Sequence, residues 1–108
     1  MSIAFEQVDS TVVASVQGRL DSSNSAAVEA ELMGRLGEGD FVLDFTHLEY
    51  ISSAGLRVVL VIAKRLKQAG RKFVLAGLQP HIKDVFEISG FLGILDVASS
   101  RSEALSRL

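Results

Sequence analysis

Two adjacent serines, Ser52 and Ser53, stand in Glu49-Tyr50-Ile51-Ser52-Ser53-Ala54-Gly55-Leu56, just ahead of the most apolar helical run in the chain. A serine hydroxyl at a helix start can accept from a backbone N–H that lacks an intrahelical partner, a cap worth about 1 kcal/mol. It can also accept a phosphoryl group, which adds about −1.5 to −2 charges at neutral pH. A helix N-terminus favours that charge through its dipole and its free N–H groups. Such a group would be cheap for the fold and disruptive for a partner docked over the loop. Local physics by itself favours the cap, for either serine.

Other chemistries find little support. The chain has no cysteine, which excludes disulfides, thiolate catalysis, zinc–thiolate sites and iron–sulfur clusters. His47 lies beside Glu49 in a loop and His81 follows Pro80 at a helix start; both read as solvated side chains rather than metal ligands. Neither a G-x-x-x-x-G-K-[ST] loop nor a G-x-G-x-x-G run occurs. No enzyme activity, cofactor or metal is expected. The net charge of −2 implies no general attraction to nucleic acid or to an anionic membrane. The N-terminus lacks the basic and apolar regions of a signal peptide, and no apolar run is long enough to span a bilayer, so a cytoplasmic location is expected.

The elements that must carry the serines follow from periodicity. Ile3–Val8 and Thr11–Gln17 alternate around Asp9-Ser10 and predict a β-hairpin. Gly18-Arg19-Leu20-Asp21 ends the second strand, and Asp21 to Asn24 offers several N-caps for a helix over Ser25–Leu36, with Gly37 at its C′ position. Phe41–Phe45 reads as a strand buried on both faces. Thr46–Ser53 reads as a loop, and Gly55–Ala69 as a helix with Val59, Ile62, Leu66 and Ala69 on one side and Arg57, Lys64 and Gln68 on the other. A strand over Lys72–Ala76, a helix from Pro80 closed by Ser89-Gly90, a strand over Ile94–Val97 and a terminal helix capped by Ser99 or Ser100 complete the order ββαβαβαβα. With 48% hydrophobic residues in 108, the expectation is one α/β domain spanning residues 1–108, with a mostly parallel sheet, an N-terminal hairpin and covering helices.

Val42-Leu43-Asp44-Phe45-Thr46-His47-Leu48-Glu49-Tyr50-Ile51-Ser52-Ser53-Ala54-Gly55-Leu56 resembles the signature of STAS domains, the sulphate-transporter and anti-sigma-factor-antagonist family. Gly18-Arg19-Leu20-Asp21 resembles that family's G-x-L-D turn, and Val85-Phe86-Glu87-Ile88-Ser89-Gly90-Phe91 its segment near the third helix. The resemblance implies a STAS-like fold and an anti-sigma factor antagonist. In that role the unphosphorylated protein binds an anti-sigma factor that is also a serine kinase, and so frees a sigma factor. The kinase then phosphorylates the antagonist and breaks the complex, and a serine phosphatase restores it. Residue by residue, the phosphoacceptor falls on Ser53, with Asp21 near it and Asp44 at the strand end. Ser52 stands where many regulatory members carry aspartate, which makes Ser52 the second candidate for modification.

The expected partner surface comprises Asp21, Ser52, Ser53, Ala54, Gly55, Arg57, Val61 and Lys64, since Val61 projects near the polar face of the helix rather than toward the core. ATP and its metal would belong to the partner kinase. The alternative role implied by the family is a docking subunit of a membrane transport or lipid-trafficking complex, without dependence on phosphate.

Overall fold

A computed structural model describes residues 1–108. The hairpin forms as its alternation predicts: β1 (Ser2–Val8) pairs antiparallel with β2 (Thr11–Leu20), Val8 opposite Thr11 across the turn. The other strands are β3 (Asp40–Asp44), β4 (Leu48–Ile51), β5 (Phe73–Ala76) and β6 (Val97–Ala98), and the helices are α1 (Ser25–Met33), α2 (Ser53–Gln68), α3 (Pro80–Ile88) and α4 (Arg101–Ser106). The sheet runs β1-β2-β3-β5-β6, with every pairing after the hairpin parallel, and β4 joins β2 beyond β3.

The apolar runs of β2, β3 and β5 have side chains buried on both sides of the sheet, the pattern of a doubly covered parallel sheet. Val12, Ala14, Val16, Phe41, Leu43 and Leu75 pack in the main core with residues of α1, α2 and α3. Their neighbours Val13, Val42, Val74 and Ala76 face the opposite side, in a second cluster with Ala98 of β6 and Ala104 of α4. Ser100 caps α4, accepting from the Glu103 amide at 3.1 Å.

Several boundaries differ from expectation. Residues expected to be all loop between β3 and α2 contain β4. Its two outward residues are Glu49 and Tyr50, and its only partner is the three-residue end of β2. That end exists because β2 does not stop at Gly18. Gly18 adopts φ of +91°, the register shifts between Gly18 and Arg19, and the strand passes from β3 to β4. A glycine bulge of this kind re-aims a strand. Helix α1 stops at Met33, with Gly34 as its C-cap, and a short 3-10 turn (Leu36–Glu38) follows, so Gly37 is not its terminator. The last strand is shorter and later than Ile94–Val97, leaving Ile94 exposed. Ala69 is the exposed C-cap of α2 rather than part of its buried stripe.

Candidate docking and modification site at the start of α2

The parallel strands β2, β3 and β4 deliver their carboxyl ends to one edge of the molecule, where the Ser52-Ser53 segment begins α2. Three local devices build that edge. Asp44 Oδ1 accepts from the amide and hydroxyl of Thr46 at 3.0 and 2.5 Å, turning the chain out of β3. Gln79 donates to the Thr46 carbonyl at 2.9 Å, and His81 Nε2 lies 2.6 Å from the Glu49 carbonyl, so the start of α3 braces the loop and β4. Ser52 N–H donates to the Leu20 carbonyl at 2.9 Å, which fixes the start of α2 to the end of β2.

The two serines, equivalent by sequence, differ here. Ser52 is the N-cap in extended conformation, and its hydroxyl accepts from the Gly55 amide at 3.3 Å. Ser53 is the first helical residue and is exposed. A group added to its hydroxyl would leave the cap intact and would meet the positive end of a 16-residue helix whose first turn carries no acid.

Asp21 lies in the turn directly after the Leu20 anchor. Its Oδ1 accepts from the Ser23 hydroxyl at 2.6 Å and the Ser23 amide at 2.9 Å, and Asn24 ties the same turn to the Arg19 carbonyl at 2.8 Å. The Ser23 hydroxyl and then its amide hold the Asp21 carboxyl below the ordinary aspartate range. Partial burial opposes them, and Arg19, 3.9 Å away, adds to the lowering. A depressed folded value means the carboxylate stabilises the turn at neutral pH, and the contribution is lost as pH falls from the ordinary range through the folded value. In an NMR titration, the Ser23 amide is therefore expected to move with a midpoint below that of an ordinary aspartate, and Asp21→Asn to abolish that transition.

The remaining residues of the expected surface divide. Arg57 and Lys64 are exposed, and Ala54 and Val61 half-buried, on the outer side of α2. Gly55 is buried and faces inward: a Cβ there would meet Ile51 Cγ1 at 2.7 Å, Leu20 Cγ at 2.9 Å and the Leu20 carbonyl oxygen at 3.0 Å. Its part is to seat α2 against β2, which brings Ser53 to the surface. Arg57 also has an intramolecular contact, with Glu29 of α1 at 3.5 Å.

Arg19 and Tyr50 also meet at this edge. The Arg19 guanidinium lies 4.2 Å from the centre of the Tyr50 ring, a cation–π contact between residues directly paired across β2 and β4. No local signal carries that pairing, because it exists only once β4 is known. An open polar cleft of about 640 Å³ is lined by Met1, Ser2, Gln17, Gly18, His47, Glu49 and Gln79. Ser53 lies outside it, on open surface.

The family model for the STAS domain matches residues 2–104. The chain belongs to the STAS domain family. This STAS domain is 47% identical over 106 residues to BtrV of Bordetella bronchiseptica, named as a candidate anti-sigma factor antagonist, covering 96% of this chain and 91% of BtrV. Among solved structures, a Thermotoga maritima protein described as a candidate anti-sigma factor antagonist superposes with a TM-score of 0.92 at 21% identity, covering 97% of this chain and 92% of that one. SpoIIAA, an anti-sigma factor antagonist in its unphosphorylated form, superposes at 0.83 and 24% identity, covering 98% and 95%. The phosphorylated form of the Bacillus SpoIIAA gives 0.77 at the same identity and covers 98% of each chain. These structural likenesses bear on the fold, which is the STAS arrangement expected from the sequence. No helix of this domain is long and apolar enough to cross a membrane.

Proposed function

We propose that this STAS domain is an anti-sigma factor antagonist whose binding is switched off by phosphorylation of Ser53. The observation that carries the reading is the division of labour between the serines: Ser52 is committed to the cap, and Ser53 is exposed at the first position of α2. A relative that is 47% identical across nearly the whole chain and named as a candidate for the same role supports it. The unphosphorylated domain docks on an anti-sigma factor that is also a serine kinase and thereby releases a sigma factor. The kinase transfers the γ-phosphoryl of its own bound ATP to the Ser53 hydroxyl, and a serine phosphatase reverses the modification.

The domain is a substrate and a binding surface in this cycle, not a catalyst. Its docking face is the outer side of the first turns of α2, with Ser53, Ala54, Arg57, Val61 and Lys64, joined by the Asp21 turn. The neighbouring Arg19–Tyr50 pair adds two residue types that recur in interface hot spots. A phosphate at the centre of such a face leaves the fold undisturbed and places a dianion where the partner must be desolvated.

Incubation with the cognate kinase and ATP, followed by mass-spectrometric site mapping, tests the assignment. The phosphate is expected on Ser53; Ser53→Ala should abolish incorporation, and Ser52→Ala should retain it despite losing about 1 kcal/mol of cap stability. A phosphate on Ser52 that survives Ser53→Ala would overturn it.

A further inference from the structure

Arg57 lies one helical turn after Ser53, on the same outward side of α2. Helical side chains lean toward the N-terminus, so the residue at i+4 reaches back over residue i, with Cβ atoms about 5–6 Å apart. Arg57 is held by a single ion pair, its Nη1 lying 3.5 Å from Oε1 of Glu29, and its side chain is 73% exposed. Glu29 is far less exposed, at 29%, and that same Oε1 is shielded from solvent without any hydrogen bond. The contact is therefore one of charge rather than of hydrogen-bond geometry, and the guanidinium retains donors for another acceptor.

We infer that Arg57 is the positioning residue that reads the state of Ser53, paired with Glu29 when Ser53 is unmodified and drawn to the phosphate when it is not. The inference rests on the reading of Ser53 as the phosphoacceptor and assigns that site its internal sensor. A phosphoserine offers up to twice the charge of the Glu29 carboxylate and three acceptor oxygens, and guanidinium–phosphate pairing is among the stronger charge-assisted contacts. Arg19 at the end of β2 and Asp21 in the turn after it already face each other. Within the first two turns of α2, Arg57 is the only charged residue. Its transfer strips Glu29 of its cation. The modification thus reaches α1, beyond the loop that carries it, and the cation that α2 presents to a partner is turned inward to the phosphate.

The test uses the full chain with phosphoserine installed at position 53 during translation, so that no kinase or partner is needed. The second ionisation of the phosphate is followed by 31P NMR. Arg57→Gln is expected to reduce the acidity of that ionisation about twofold, the equivalent of the roughly 0.3–0.5 kcal/mol of an i,i+4 ion pair. Glu29→Gln, which removes the competitor, should increase the acidity, and by more when Arg57 is present than in the Arg57→Gln background. Arg57→Lys should recover part of the effect. An unchanged midpoint in Arg57→Gln, or an equal effect of Glu29→Gln in both backgrounds, would overturn the inference. Failure of a partner to distinguish the two forms would instead overturn the switching role and leave this coupling standing.

Discussion

Gly55→Ala is expected to destabilise the domain by about 1–2 kcal/mol, and Gly55→Val by more. Two effects compete. Alanine is the better helix former, by at most about 1 kcal/mol. Against this stand three contacts that the new methyl would make at 2.7, 2.9 and 3.0 Å. The first two are with the side chains of Ile51 and Leu20, both buried in the main core, where overpacking costs about 1–3 kcal/mol. The third is with the Leu20 carbonyl oxygen, which is backbone and cannot retreat without disturbing the Ser52 N–H···O bond that seats the helix. Packing wins. Circular-dichroism melting should register a fall in Tm of about 4–8 °C per kcal/mol lost for a domain of this size. Gly37, where an added Cβ meets nothing within 4 Å, is the control, and Gly37→Ala should leave Tm nearly unchanged. Because the same contacts set where Ser53 emerges, Gly55→Ala should also weaken partner binding beyond what its loss of stability explains.

Ser53→Asp is expected to separate stability from binding. At the first turn of a helix an added carboxylate is favourable by about 0.3–1 kcal/mol, so the fold should melt at the same temperature or slightly higher. In the docked complex the same carboxylate lies under a partner, and an unpaired charge in a desolvated contact costs about 2–5 kcal/mol, which corresponds to a loss of affinity on the order of 30-fold or more. Ser53→Ala removes only a hydroxyl that has no part in the cap. It should bind within about threefold of the unsubstituted chain and be insensitive to the kinase. Calorimetry of the three chains against the anti-sigma factor measures both effects, with melting curves as the check on folding.

The parts of the fold that could be read in advance are those whose signal is local. The hairpin, the doubly buried strands, the apolar stripe of α2 and Pro80 at the start of α3 are each written in adjacent residues. The parts that differed depend on partners distant in sequence. Leu48–Ile51 is a strand only because Gly18 hands the last three residues of β2 to it, and four residues with Glu49 and Tyr50 outward carry no clear period of their own. The end of α1 differs for a local reason: the helix closes at the earlier glycine, Gly34, and not at Gly37.

The candidate site behaves the same way. The segment that carries it could be recognised from its motif, but Ser52 and Ser53 are equally good caps on paper. It is the bond from the Gly55 amide to Ser52 that separates them. Gly55 itself moves from the expected contact surface to the interior, and Arg57 acquires a neighbour, Glu29, 28 positions away, that no spacing rule points to.

On the proposed function, one phosphate on Ser53 governs whether this STAS domain binds an anti-sigma factor. The direct measurement is a calorimetric titration of the cognate anti-sigma factor with the unmodified chain, with the chain phosphorylated at Ser53, and with the phosphorylated chain after phosphatase treatment. The account predicts tight binding, a loss of affinity at least as large as that of Ser53→Asp, and full recovery, with the fold unchanged throughout. Equal affinity for the unmodified and phosphorylated chains would contradict it.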